Sequence, residues 1–469
     1  MPPHLKRLTR WSVMLVLLAA FGYAGYLLSR LAPIGTAYAA KTLCSGVFVS
    51  GRPAATVIDE DIMAGVHPLL KLVDASVDAP RRLARASFVG LAVREAVFRP
   101  GLGCTLSLGA LDAALPAGNG AASNPPLPQR AAAVAVAAPP GVDARKLKAA
   151  IDSAFAEPNP AEPRRTRAVV VMYRGHVIAE RYAPGITADM PLLGWSMTKS
   201  VTGALAGVLV KEGKLAVGAS ALLPEWSANG DVRARITLDE LLRMTSGLQF
   251  NEDYDDPLSD VAVMLFTQAD ASGFAANKPL VSPPGTRWRY SSGTTAILAR
   301  VLYDALAEPE ADYLQFPRRA LFAPLGMRTA VFEPDAAGML ASASFMYASA
   351  RDWARFGQFL LQDGTWAGKR LLPDGWVRYM TRATPQAPRQ DFGAHLWVKV
   401  PEPFNSHLSP APALPRDAFH AAGHEGQFVS VIPSRQLVVV RLGLTRPESA
   451  WDHEAFLARV LEAFPAGSR

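Results

Sequence analysis

Ser196 and Lys199, in "GWSMTKSVTG" (194–203), stand three residues apart at the mouth of an apolar run. On a helix that spacing puts hydroxyl and ammonium on one face. The helix N-terminus adds positive potential and unpaired N–H groups. Such a serine can attack a carbonyl carbon, provided its proton has somewhere to go. An ordinary lysine, with a pKa of about 10.4, is neutral only about once in 2,500 molecules at pH 7. To act as base, Lys199 must be desolvated or sit beside another proton carrier. The same letters also describe a plain helix start, where serine is a favoured cap. The motif alone does not choose between the two.

Two distant segments supply what the chemistry lacks. "WRYSSG" (288–293) places Tyr290 and Ser292 on a turn ahead of the helical pattern "TTAILARVLYDAL", which makes Tyr290 a candidate proton shuttle. In "AAGHEGQFVSVIP" (421–433), Gly423 and Gly426 flank His424 and Glu425 just before a strand. Glycines there let a ligand approach the backbone closely. The Gln427 N–H is then expected to join that of Ser196 in an oxyanion hole. His420 and His424 would need a helix to share a metal ion, and the glycines and following strand oppose one; no metal and no cofactor is expected. There is no G-x-S-x-G elbow and no P-loop, and "GLGCTL" lacks the third glycine of a dinucleotide loop.

Taken in order, Ser-x-x-Lys at 196–199, Tyr-x-Ser at 290–292 and His-x-Gly at 424–426 resemble the serine β-lactamase/penicillin-binding superfamily. Within it, the chain is similar to class C-like esterases, D-amino-acid peptidases and 6-aminohexanoate-dimer hydrolases. "LLRMTSGLQFNEDYDDP" (241–257) and "SARDWARFGQFLL" (349–361) are similar to segments of that family, and the resemblance covers about 142–466. It implies acylation of Ser196, acid–base duty shared by Lys199 and Tyr290, and an oxyanion held by the N–H groups of Ser196 and Gln427. Tyr254 corresponds to a tyrosine lining the substrate site in the nylon-oligomer branch. Ser292 and His424 replace the family's commoner asparagine and lysine, which removes a fixed cation for a β-lactam carboxylate. The resemblance therefore implies hydrolysis of a small ester or amide. A weak β-lactamase or D,D-peptidase, or a sensor that stays acylated, is the alternative.

The elements that must position these groups follow from patterning. "DARKLKAAIDSAFAE" carries Leu147, Ile151 and Phe155 on one helical face, and "RAVVVMYRG" with "HVIAERYAPG" reads as a hairpin turning near Arg174. A nearly all-apolar helix runs from Ser196 to Leu215, and a mostly helical middle spans about 235–380. "GAHLWVKV", "GQFVSVIP" and "QLVVVRLGL" read as strands, with a last helix near 449–463. Strands, helices, strands and a helix predict an α/β (α+β) fold of β-lactamase/transpeptidase type. One antiparallel sheet is built from both ends of the domain, with the helical region inserted.

The chain has 469 residues, 50% hydrophobic and 19% charged, with a formal net charge of +7. The cations are scattered, without runs or interleaved aromatics, which argues against a nucleic-acid partner. Lys6, Arg7 and Arg10 precede the uncharged stretch Trp11 to Leu28. That pattern predicts a membrane anchor with the N-terminus in the cytoplasm and the body periplasmic. A signal removed near "TAYAAK", with release to the periplasm, is the alternative. The two cysteines, Cys44 and Cys104, are then expected to form a disulfide, which over a loop of this length contributes about 4 kcal/mol. The organisation read from sequence is an anchor segment at 1–40, a small stapled domain at 41–112 with strands including "GVFVSGR", an Ala/Pro-rich linker at 113–141 and the hydrolase-like domain at 142–469.

Overall fold

The computed structural model describes residues 3–109, 139–228, 230–306, 312–406 and 413–465. An unbroken helix, α1 (Pro3–Cys44), opens the structure. Its exposed part carries Trp11, Leu15, Phe21, Tyr23 and Tyr26 on the surface. From Ile34 onward it is buried, with Ala37, Ala39, Ala40 and Leu43 in one apolar cluster. That half packs on a four-stranded antiparallel meander: β1 (Val73–Asp78), β2 (Leu83–Phe88), β3 (Leu91–Arg99) and β4 (Gly103–Leu106). Cys44 and Cys104 are joined, with Cα atoms 6.0 Å apart. The expected break at residue 40 thus falls inside a continuous helix. "GVFVSGR" is not a strand: Ser45–Val49 extends α1 as a π-helical turn. The disulfide at Cys44, a Ser45 hydroxyl bond to Glu333 (2.8 Å) and Phe48 stacked on Phe98 hold it there, overriding β propensity.

The linker stretch 113–141 lies almost wholly outside the described residues. Beyond it, α2 (Ala144–Ala154) is capped by Asp143, which accepts from the N–H groups of Arg145 and Lys146. Leu147 and Ile151 are buried as the spacing predicts. β5 (Thr166–Tyr173) and β6 (His176–Tyr182) join through Arg174 and Gly175, with φ of 50° and 78°. Positive φ at both central residues matches the right-handed twist of the flanking strands.

The inserted region supplies α3 (Met197–Lys211), α4 (Asp260–Thr267), α5 (Ser292–Asp304) and α6 (Ala350–Leu361). The chain then returns as β7 (Phe419–Gly423), β8 (Gln427–Ile432) and β9 (Leu437–Gly443), and closes on α7 (His453–Leu461). The sheet order is β7-β8-β9-β5-β6, all antiparallel, so β9 is central and joins the two ends of the domain. Its strands read as continuous apolar runs because both faces are covered. Val170 and Met172 face the cluster of α3, α5 and α6; Val169 and Val171 face α2 and α7. Gly357 lets α6 lie close on the sheet: a Cβ there would come 2.5 Å from Val438 and 2.7 Å from Val429. "GAHLWVKV" forms only isolated bridges, Phe392–Trp397 and Trp397–His420. The chain turns at His395 (φ 57°), whose ring is buried against the Leu242 carbonyl at 2.7 Å.

Candidate active site

Ser196 occupies the N-cap position of α3, yet its hydroxyl makes no cap hydrogen bond. The approach to it is rigid. Gly194 N–H donates to the Met346 carbonyl (2.9 Å), and Trp195 is held at φ 46°, a conformation side chains other than glycine rarely take. The Trp195 ring packs on Phe345 (5.9 Å), and its Nε1 donates to Glu425 (3.0 Å).

Lys199 Nζ lies 2.8 Å from Ser196 Oγ, 3.0 Å from Ser292 Oγ and 3.0 Å from the Ala343 carbonyl. Three acceptors match the three N–H bonds of an ammonium. Once neutral, the amine keeps two of them and can turn its lone pair to the Ser196 hydroxyl. Burial lowers its pKa to about 8, against the opposing pull of the Glu252 carboxylate. At pH 7 about one molecule in ten is then neutral, against about one in 2,500 for a solvated lysine.

Tyr290 sits over this pair. Its ring centroid is 4.9 Å from Lys199 Nζ, and its hydroxyl is close enough to Ser196 to interact with it. Phe392 and Trp397 enclose the ring, Trp397 stacking at 5.6 Å. Burial first, and Glu252 second, push its pKa up, so at neutral pH the group is a phenol. It can deliver or relay a proton but does not hold a negative charge.

Glu252 organises the far side. It accepts from Ser292 N (2.7 Å), Ser292 Oγ (2.5 Å) and the Tyr254 hydroxyl (2.8 Å). Because the Ser292 proton points at Glu252, its lone pairs face Lys199, and the relay has one direction. Tyr254 is half exposed and stacks on His424, with centroids 5.0 Å apart and planes 15° apart.

The third edge is the end of β7. A Cβ on Gly423 would meet the Gly194 carbonyl at 2.3 Å and Ser196 N at 3.2 Å, so only glycine lets this backbone close on the nucleophile. His424 follows, its Nδ1 2.7 Å from Glu448. Burial disfavours its charge, but the Glu448 hydrogen bond and charge outweigh this and raise the pKa above the ordinary histidine value. Glu425, in the left-handed region at φ 63°, is held by Arg446 Nε (2.6 Å) and Trp195. Beneath the turn, the buried Arg441 guanidinium donates to the carbonyls of Glu425 (3.2 Å) and Gly426 (2.8 Å), and burial draws its pKa down to about 9.

A sequence profile of the beta-lactamase family matches residues 151–461. The chain belongs to the beta-lactamase family. Among curated relatives it is 28% identical over 228 residues to a 6-aminohexanoate-dimer hydrolase of Paenarthrobacter ureafaciens. That match covers 45% of this chain and 56% of the relative, so the chain spans just over half the length of that hydrolase. Two solved structures share the fold. A D-stereospecific amidohydrolase from Streptomyces superposes with TM-score 0.50 at 19% identity, over 70% of this chain and all (100%) of its own. EstCE1, a hydrolase with promiscuous acyltransferase activity, gives 0.51 at 16% identity, over 68% of this chain and 97% of its own.

Within this family member, Ser196, Lys199, Tyr290, Ser292, His424 and Tyr254 converge. Gln427 follows as the first residue of β8. It lies opposite Gly423 in the β7–β8 ladder, and its side chain braces the turn: Nε2 donates to Gly443 O (2.7 Å) and His424 O (3.1 Å), while Oε1 accepts from Gly443 N (2.9 Å). The backbone closing on Ser196 N is that of Gly423, four residues earlier. Sequence reasoning missed Glu252 and Arg441. Glu252 was in plain view in the acidic "NEDYDDP"; Arg441 was signalled by a lone arginine inside "LVVVRLGL".

Glu252 is a positioning residue, and Glu252→Gln tests it. Removing the carboxylate takes away the charge that favours the Lys199 ammonium, so the Lys199 pKa falls further. The acidic limb of the acylation rate is expected to move to lower pH, while the plateau drops as Ser292 and Tyr254 loosen. Pre-steady-state acylation against pH measures both. A limb that stays in place excludes the coupling.

Proposed function

We propose that the protein is an exported, membrane-anchored serine hydrolase that cleaves a small ester or amide through an acyl-enzyme. The observation that carries the reading is the buried Lys199 amine 2.8 Å from the Ser196 oxygen, with its pKa brought to about 8. Neutral Lys199 takes the Ser196 proton as Oγ bonds to the substrate carbonyl carbon. The oxyanion is held at the N-terminus of α3 by the N–H groups of Ser196 and Gln427. As the bond to the leaving group breaks, the Tyr290 phenol gives that group a proton and recovers one from Lys199. Water then repeats the cycle on the acyl-enzyme. The relationship to a 6-aminohexanoate-dimer hydrolase and the likeness in fold to an amidohydrolase and to a hydrolase with promiscuous acyltransferase activity support this chemistry.

The sign of the pH dependence follows from the base. Only neutral Lys199 accepts the proton, so acylation is slow below pH 8 and levels off above it. Lys199→Ala lowers the acylation rate by about a hundredfold or more and removes that limb. Stopped-flow hydrolysis of p-nitrophenyl esters across pH checks both. A limb that survives Lys199→Ala assigns the titration to His424 instead.

The second reading, a weak β-lactamase, draws on His424, whose raised pKa keeps a cation at the site in mild acid. Nitrocefin turnover that rises below pH 7 supports that reading. Stable labelling without turnover supports a sensor.

The anchor reading rests on α1. The cleavage site suggested at Ala37 to Ala39 is inside a helix, its alanines fully buried and Tyr38 bonded to the Asp61 carbonyl at 2.8 Å. Cutting there would strip a helix from the core of the N-terminal domain. Intact-mass analysis of membrane-extracted protein is expected to find the N-terminal segment still attached. A mass beginning near Lys41 would replace the anchor with a removed signal.

A further inference from the structure

The N-terminal domain holds an exposed apolar tip for which its own packing gives no reason. The turn between β2 and β3 leaves Val89 66% and Leu91 71% exposed, and the neighbouring Leu72 is 52% exposed. Val89 N–H donates to the Leu72 carbonyl (3.3 Å), so the three form one patch. The turn is built on Val89 (φ 48°) and Gly90 (φ 76°). Two-residue turns of this kind favour asparagine, aspartate or glycine at the first position, and a β-branched residue there is an outlier. A valine that gains nothing from burial and strains its own backbone has its use outside the domain.

The position of the tip says what lies outside. Thr36 Oγ1 of α1 donates to the Ala92 carbonyl (2.7 Å), and Leu70 lies 3.4 Å from where a Cβ on Gly35 would be. At the far end, Cys44 of α1 is joined to Cys104, whose strand partner is Phe98. β3 therefore runs alongside α1, away from the apolar segment, and its preceding turn points back toward that segment. The segment ends near Leu28, with Tyr23 and Tyr26 exposed on its last turns, as residues at a bilayer edge are. From Leu28 to Thr36 the helix climbs about 12 Å. The turn reaches back one or two residues, about 3–6 Å. That leaves it about 6–9 Å above the hydrocarbon edge, where the headgroup layer is about 5–7 Å thick. A helix tilt of about 20° lowers a point about 10 Å off the axis by roughly 3 Å more. Lys71, next to Leu72 in sequence, is exposed as well.

We propose that the Val89–Leu91 turn, with Leu72, inserts into the outer headgroup layer of the bilayer that α1 spans, as a second membrane contact. This rests on the anchor reading. The two contacts together fix the rotation of the domain about α1, which a single helix does not.

The test uses the full chain in vesicles of phosphatidylethanolamine and phosphatidylglycerol, without reductant. An environment-sensitive fluorophore is attached at Leu91→Cys, at Arg81→Cys on the opposite end of the sheet, and at Phe21→Cys in the span. The Leu91→Cys label is expected to be blue-shifted and quenched about twofold or more by headgroup-level spin-labelled lipid, while the Arg81→Cys label stays in water. Adding Val89→Asp should return the Leu91→Cys signal to the aqueous value. If the Phe21→Cys label is lipid-quenched but the Leu91→Cys label is quenched only by aqueous iodide, the tip proposal fails and the anchor stands. If the Phe21→Cys label is also in water, the anchor reading fails and takes the proposal with it. A Leu91→Cys label shielded from iodide, insensitive to lipid quencher and dependent on protein density is a contact between copies, and overturns the proposal.

Discussion

Ser196→Ala is expected to abolish covalent labelling by a fluorophosphonate or penicillin probe and to cut ester turnover by about 10⁴-fold or more. Two features make this a clean experiment. The Ser196 hydroxyl does not cap α3, so its loss leaves the helix start as it was. Lys199 keeps Ser292 and the Ala343 carbonyl as partners, so no buried amine is stranded. Stability should therefore change by about 1 kcal/mol or less. Labelling that persists in Ser196→Ala puts the nucleophile elsewhere. Loss of labelling together with a large fall in stability would point to a structural serine.

Glu333→Ala is expected to destabilise the protein by roughly 3–5 kcal/mol, read by urea unfolding. Glu333 is fully buried and belongs to the hydrolase domain, yet its partners lie in the N-terminal domain. It forms an ion pair with Lys41 and accepts from Ser45 Oγ (2.8 Å) and Cys104 N (2.6 Å). Removing it leaves the Lys41 ammonium buried with no opposite charge, facing only the Ser45 hydroxyl (3.4 Å) and the Phe345 ring (4.2 Å). The double variant Lys41→Met, Glu333→Leu should recover more than half of the loss, since an apolar pair strands no charge. Activity should fall with the single variant as well. Phe345 lies two residues from the carbonyl that holds Lys199, and it packs on Trp195 beside the nucleophile. A Glu333→Ala protein as stable as the parent would show that the contact between the two domains contributes nothing.

What was legible in the sequence was whatever repeats locally. The runs of β5 and β9, the amphipathic α2 and the apolar α3 announce themselves by period, and Ser196 and Lys199 by spacing. Tyr290 and His424 needed a resemblance to be connected to them, because nothing local ties residues so far apart in the chain. The same distance hid the Lys41–Glu333 pair, 292 residues apart in sequence. Ser45–Val49 failed for the opposite reason: its letters favour a strand, and only the disulfide and Glu333 show why it stays helical.

The order of the sheet has a consequence for biosynthesis. β9, made long after Ser196 and Tyr290, is the strand that joins β5–β6 to β7–β8. A nascent chain that has produced Ser196, Lys199 and Tyr290 still lacks the scaffold holding them together, because those non-local pairings form only once β7, β8 and β9 have been made. The constellation around Ser196 is therefore assembled late, after the sheet has closed.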